Sequence, residues 1–159
     1  MSTTASGADT STVATRLAKM ADLDAVADLF DQYRQFYQQA PDLPRARSFM
    51  QQRLTQGDAV VLLAHSPSGA ALGFCQMYPS FCSILAQPVY LLYDLYVAPS
   101  ARRSGTGAAL LQAARHHAVS QGYARLDLTT AKTNLSAQAL YERLGWVRDD
   151  VYLAYTWDV

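Results

Sequence analysis

The sequence predicts a mixed α/β domain built around a central sheet. Three observations carry that prediction. Half of the 159 residues are hydrophobic, enough for one core and one ligand cleft. Apolar residues recur at three- and four-residue steps in some segments and as β-branched or leucine-rich runs in others, so helical and strand-like stretches alternate. No internal repeat or low-complexity tract interrupts that order.

Residues 1–13 are mainly Ser, Thr, Ala and Gly and bury too little surface to offset their ordering entropy. They are read as a disordered segment ahead of one domain over residues 14–159. A strand-like piece over residues 15–20 precedes Asp22, a good helix N-cap. Leu23, Val26, Ala27, Phe30, Tyr33, Phe36 and Tyr37 then fall on one helical stripe, expected to be buried, and Pro41 and Pro44 end that helix. A second helix is predicted from Pro44 to Gln56, with Phe49, Met50 and Leu54 inward and Gly57 as the stop. The period then changes. Residues 58–64 and 70–78 read as a hairpin about Ser66-Pro67-Ser68-Gly69, closed by Pro79. Residues 89–97 form the next strand, stopped at Ala98-Pro99. An Ala- and Leu-rich helix over residues 107–121, a strand over 125–131 and a helix over 135–144 closed by Gly145 follow. Two last strands are expected near Trp146 and over residues 152–157. The second, rich in Tyr and Trp, either joins the sheet or pairs across a homodimer.

Composition narrows the partners. Lys plus Arg (13) balances Asp plus Glu (13), so no net positive field draws the chain to nucleic acid or an anionic membrane, and a small-molecule partner is expected. No run approaches ~18 consecutive apolar residues, and the opening residues lack an apolar signal region, which reads as a soluble cytoplasmic protein. Cys75 and Cys82 are too few and too close for a disulfide framework, and no cation near either in sequence would lower a thiol pKa. Core packing of reduced thiols is expected. His116 and His117 read as exposed helix surface and His65 as solvent-facing, with no third ligand nearby, so no metal site is expected.

The strongest local signal is Arg102-Arg103-Ser104-Gly105-Thr106-Gly107, between a strand end and a helix start. A helix N-terminus offers unpaired N–H groups and the positive end of its dipole, and two glycines let a phosphate approach without a Cβ in the way. Arg102 and Arg103 can add charge-assisted contacts. The alternative is a turn that merely starts a helix. A Walker loop fails because no Lys-Ser or Lys-Thr follows the second glycine, and the dinucleotide fingerprint fails because Leu110 stands where its third glycine belongs.

The second signal is Asn134 followed by Leu140-Tyr141-Glu142-Arg143-Leu144-Gly145-Trp146, about 27 residues beyond the first. Arg-x-x-Gly-x-Gly after a strand ending in Val-Ala-Pro, then a strand, then this helix end, resembles the GNAT superfamily of N-acetyltransferases from about Thr15 to the C-terminus. Residues 73–81, Gly-Phe-Cys-Gln-Met-Tyr-Pro-Ser-Phe, look like a segment of the branch that includes histone and D-amino-acid acetyltransferases. The resemblance implies a central, mostly antiparallel sheet flanked by helices, with splayed central strands and acetyl-CoA as cosubstrate. It implies that Leu95, Tyr96 and Val97 bind the pantetheine arm through their backbone. It implies also that Arg102, Arg103, Ser104, Gly105, Thr106 and Gly107 hold the pyrophosphate, that Asn134 borders the cofactor and that Tyr141 stands near the thioester sulfur.

Acyl transfer needs a neutral amine, a donor for the oxyanion and an acid for the departing thiolate. Tyr141, protonated at neutral pH, is the candidate acid; periodicity alone would make it a core aromatic between Leu140 and Leu144. The resemblance implies a frequent catalytic glutamate eleven residues before Arg102, but Leu91 stands there. Asp94, the only carboxylate in its apolar strand, is the candidate base; otherwise it is a structural acceptor for backbone or a tyrosine hydroxyl. Tyr78, Tyr93 and Tyr96 are candidate lining residues. A lysine-type amine costs about 4.6 kcal/mol to neutralise at pH 7 and an α-amine about 1, which favours a small α-amino or activated amine. A non-catalytic acetyl-CoA sensor or protein-interaction module on the same fold would keep the loop and need no Tyr141.

Overall fold

The computed structural model describes residues 12–159, so the expectation of disorder at the N-terminus falls, up to residue 11, outside the described residues. The described residues up to Leu128 form one compact unit and Thr129–Val159 a second.

In the first unit, β1 (Ala14–Leu17), β2 (Val60–His65), β3 (Ala71–Cys82), β4 (Gln87–Val97) and β5 (Leu126–Leu128) lie side by side in chain order. The first four are antiparallel, and β5 runs parallel to β4. That last pairing needs a crossover, which α3 (Thr106–Ser120) supplies. Helices α1 (Leu23–Phe36) and α2 (Leu43–Gln56) cover one face. There Leu23, Val26 and Phe30 of α1 and Ala46 and Met50 of α2 pack on Val61, Leu63, Phe74 and Tyr96. Each large side chain fully buried here, such as Met50 or Phe74, contributes about 1.5–3 kcal/mol. Alternation along the strands turns Leu62 to the opposite face, where it meets α3.

Polar side chains set the helix starts. The carboxylate of Asp42 caps α2 by accepting from the Arg45 N–H at 3.1 Å, with Pro44 in the first turn. Buried Asp31 accepts from the Asp42 N–H at 2.9 Å and from Gln35 Nε2 at 2.9 Å, tying α1 to the start of α2. Asp22 occupies the cap position of α1, but its carboxylate is used elsewhere. It receives Arg16 Nη1 and Nη2 at 2.7 and 2.8 Å and the Lys19 N–H at 2.8 Å.

Several expectations need correction. The first strand ends at Leu17, and Met20–Asp22 is a 3-10 turn. The buried stripe of α1 fades after Phe30: Tyr33 is half-buried, while Phe36 and Tyr37 at the helix end are 52% and 47% exposed. Pro79 does not close β3, which continues to Cys82. Because β2 stops at Val60 opposite Met77, Pro79 pairs on one side only and its missing N–H faces no strand. The strand expected over residues 125–131 is only Leu126–Leu128.

The second unit contains α4 (Leu135–Arg143). The two terminal strands expected near Trp146 and over residues 152–157 do not form. Val151 and Tyr152 both donate their N–H to Asp149 Oδ1, at 2.8 and 3.2 Å, which turns the chain, and no extended segment of this unit offers a ladder partner. Tyr152, Leu153, Tyr155 and Trp157 are exposed.

The Arg16 guanidinium holds the Asp22 carboxyl down at about 2. A depressed carboxyl contributes stability above its ordinary value and loses it as pH falls through the folded value. Asp22→Asn is expected to lower the Tm by about 2–4 °C at pH 7, for about 1 kcal/mol lost. Melting curves from pH 7 to 2 should show the difference vanish at the acid end.

Candidate active site

The sheet opens in the middle of β4. Tyr90, Leu91 and Leu92 pair with Leu126, Asp127 and Leu128, and beyond Leu92 no strand of the first unit continues that ladder. The other side of β4 is paired with β3 from Gln87 to Val97 except at Tyr93, which bulges out of the ladder between Leu92 and Asp94. The backbone of residues 94–97 is therefore bound to β3 on one edge and paired with no strand of the first unit on the other, which is the geometry expected of splayed strands. Gly73 allows the close packing beneath. A Cβ there would lie 2.5 Å from the Tyr96 carbonyl oxygen, 3.2 Å from Val97 Cα and 3.4 Å from Leu110 Cδ1.

The open edge leads directly into the loop before α3. The Ala98 N–H donates to the Leu72 carbonyl at 2.9 Å, and Pro99–Ala101 makes one 3-10 turn. Arg103 and Gly105 then adopt positive φ, 61° and 83°, so the backbone reverses twice within three residues. Ser104 Oγ donates to the Ala101 carbonyl at 2.6 Å and lies 2.8 Å from Oγ1 of the buried Thr106, holding the turn. The Ala109 N–H to the Gly105 carbonyl, 2.9 Å, is the first rung of α3 and leaves the N–H groups of residues 103–108 outside the helical ladder. A Cβ at Gly105 would meet nothing within 4 Å, so this surface is open. Arg102 donates from Nε to the Val97 carbonyl at 3.2 Å, and its guanidinium lies 5.8 Å from the Tyr96 ring centroid. Of the loop residues, Arg102 is thus brought against Tyr96 and Val97.

Asp94 sits two residues beyond the last β5 pair and is 6% exposed. Its side chain points to the α1 and α2 face, as does that of Gln76, its ladder partner on β3. Gln76 Nε2 donates to Asp94 Oδ2 at 2.7 Å and to the Tyr78 hydroxyl at 2.9 Å. Burial pushes the Asp94 carboxyl above the usual range, and hydrogen bonds from Gln76 and Tyr33 pull it back in part. Burial and the neighbouring Asp94 raise the Tyr33 phenol and bring that of Tyr78 up to about 12. The Tyr33 hydroxyl also lies 3.4 Å from the Tyr93 carbonyl, which shares the single hydroxyl proton with Asp94, and the Tyr78 and Tyr93 rings meet edge to face at 5.5 Å. Tyr96, a candidate lining residue in the sequence, turns its side chain into the core. Gln76 and Tyr33 escaped the sequence reading. Gln76 is a lone amide in an apolar run, and its importance is visible only once the register sets it opposite Asp94.

In the second unit, Asn134 and Tyr141 belong to one helical segment. Asn134 Oδ1 accepts from the Ala137 N–H at 3.3 Å, so this side chain caps α4. Tyr141 is half-buried, with its ring centroid 6.0 Å from that of Trp146. The Trp146 N–H donates to the Tyr141 carbonyl at 3.0 Å.

Residues outside these clusters also differ in part from expectation. Cys75 is buried and burial pushes its thiol up. Cys82 is lowered, by a backbone hydrogen bond from Leu85 and then by Arg125, a cation hidden from the sequence because it comes from the approach to β5. His117 is not plain surface: it lies half-buried with Nε2 3.5 Å from the Tyr90 hydroxyl. Among the described residues no group of three His, Cys, Asp or Glu is placed to hold a metal, and no helix is long and apolar enough to cross a membrane.

A family model described as Acetyltransferase (GNAT) family matches residues 23–146. "Uncharacterized N-acetyltransferase YhfO" of Bacillus subtilis (strain 168) is 42% identical over 144 residues, 91% of this chain and 96% of that protein. Aminoglycoside N(6')-acetyltransferase type 1 of Klebsiella aerogenes is 37% identical over 92 residues, 55% of this chain and 59% of that protein. The crystal structure of a probable acetyltransferase superposes with a TM-score of 0.86 at 35% identity, covering 92% of this chain and 97% of the other.

A carboxyl raised by burial favours the fold while protonated, and that advantage is lost as pH rises through the folded value. Asp94→Asn should therefore leave the Tm unchanged near pH 3.5 and raise it at pH 8, by about 2–4 °C for each kcal/mol of relief. Calorimetry at the two pH values checks this; a lower Tm at pH 8 would contradict it.

Proposed function

The chain belongs to the acetyltransferase (GNAT) family, and from that premise we propose that it moves an acetyl group from acetyl-CoA to the primary amine of a small molecule, with Tyr141 as general acid. N-acetyl transfer itself follows from the family and its N-acetyltransferase relatives. The observation that carries the finer reading is the continuity of the open β4 edge with the loop before α3. An extended arm can add to that edge as a strand would, and a diphosphate at its end meets N–H groups outside the helical ladder and the positive end of the α3 dipole. The open face of Gly105 leaves room for such a group.

Acetyl-CoA supplies an acyl group activated by its thioester. In this reading the backbone of Leu95, Tyr96 and Val97 holds the pantetheine arm, and Arg102, Arg103, Ser104, Gly105, Thr106 and Gly107 hold the diphosphate. Asn134 contributes by fixing the start of α4, and α4 carries Tyr141. The attacking nitrogen must be neutral. Asp94, whose carboxyl is raised by burial, is a stronger base than a solvated aspartate and accepts the proton that the amine gives up. The amine nitrogen forms the bond to the acyl carbon, the carbon–sulfur bond breaks, and the Tyr141 hydroxyl protonates the departing thiolate. With one weak base available, an α-amine, about 1 kcal/mol to neutralise at pH 7, is a better acceptor than a lysine at about 4.6. The Klebsiella relative, by its name an aminoglycoside acetyltransferase, also supports a small amine as acceptor.

Thermal unfolding with acetyl-CoA tests the cosubstrate, with NAD and ATP as controls. At 100 times the dissociation constant the ligand adds about 2.7 kcal/mol, a rise of roughly 5–10 °C in Tm. Tyr141→Phe should keep that rise while kcat for a small amine falls about 10²–10⁴-fold. A variant with unchanged kcat would remove Tyr141 from the chemistry.

A further inference from the structure

We propose that Gln76 is a positioning residue for this reaction: its side-chain amide clamps the Asp94 carboxylate and the Tyr78 hydroxyl into one fixed arrangement for the acceptor amine. The inference rests on the reading of Asp94 as the group that receives the amine, and it assigns the residue that makes Asp94 fit for that role.

Gln76 is fully buried, and both N–H groups of its amide are used, one on Asp94 Oδ2 at 2.7 Å and one on the Tyr78 hydroxyl at 2.9 Å. The carboxylate dictates the orientation, because a flipped amide would set oxygen against oxygen. The consequence is visible on the far side of the amide, where Gln76 Oε1 is buried without a hydrogen-bond partner. A fully buried amide left half-satisfied is poor core packing, and an apolar side chain of the same length would fill the space without that penalty. What the amide does achieve is local to the opening in the sheet. It holds a buried carboxylate two residues beyond the last β5 pair, and by occupying a lone pair of the Tyr78 hydroxyl it leaves that hydroxyl proton free to point elsewhere.

The other groups facing Asp94 do not replace it. Tyr33 from α1 is a second donor to Asp94, whereas Tyr78 and Cys75 on β3 are neutral and are themselves raised by the Asp94 charge. Arg53 and Asp58 interact with Tyr78. Of the two hydrogen bonds that offset burial at the Asp94 carboxyl, that from Gln76 is the stronger.

The test is Gln76→Met, which keeps the length and removes the donor. Its kcat/KM for a small primary amine is measured from pH 5 to 9, beside KM for acetyl-CoA. The acidic limb should move upward by about one pH unit, a tenfold loss at its acid end that recovers by pH 9, with KM for acetyl-CoA unchanged. A uniform loss at every pH, or an unmoved limb, would overturn the proposal. In the wild type, the Gln76 side-chain amide ¹⁵N resonance should titrate with the Asp94 carboxyl ¹³C resonance. An amide insensitive to pH across that range overturns it without recourse to a variant. These resonances also separate the two claims: a wild type that acetylates no amine while Asp94 and Gln76 titrate together refutes the functional reading and leaves the clamp standing.

Discussion

The site depends on an unequal pairing of one strand. On one side β4 is held by β3 at every residue but the bulged Tyr93, and on the other it is held by β5 for three residues only. Backbone groups in a sheet interior are normally consumed by the ladder, so an opening of this kind is how a strand can offer its main chain to a ligand and still be fixed in place. The register with β3 supplies the rigidity. Gly73 lets the end of β4 and Leu110 of α3 close onto that register, and the Ala98 N–H pins the strand end to Leu72. The loop that follows then starts α3 at a fixed point beside the open edge.

A second constraint follows from the first. Where β5 ends, β4 carries a carboxylate into the α1 and α2 face, and the surrounding core is apolar. Burying Asp94 disfavours its charge, and the amide of Gln76 and the phenol of Tyr33 offset that cost in part. The balance makes the carboxyl more basic than a surface aspartate, which is the property a proton acceptor for an amine requires. Stability and chemistry therefore pull in opposite directions at this position, and the unpaired Oε1 of Gln76 is part of the same compromise.

Much of this was legible in the residues. Helical periodicity located α1, α2, α3 and α4 to within a few residues, and the Arg102 to Gly107 hexapeptide falls, as read, between a strand end and a helix start. The solitary charge of Asp94 in an apolar strand marked it as a functional candidate. What stayed hidden depends on register and on contacts remote in sequence. Gln76 gains meaning only opposite Asp94, Tyr33 only when α1 is laid on the sheet, and Arg125 only when it reaches Cys82. Pro79 misled because a proline stops a strand with two neighbours but not one with a free side. The Tyr- and Trp-rich residues 152–157 promised a strand, yet a strand needs a partner, and Asp149 turns the chain instead.

Under the proposed function, the open edge of β4 and the start of α3 form one continuous binding surface for acetyl-CoA. Amide hydrogen exchange, measured with and without the ligand, addresses it residue by residue. The account predicts added protection confined to two stretches of the first unit, the backbone of residues 94–97 and the N–H groups of residues 103–108, with little change in β1 and β2. Acetyl-CoA that binds and leaves both stretches exchanging as before would contradict it.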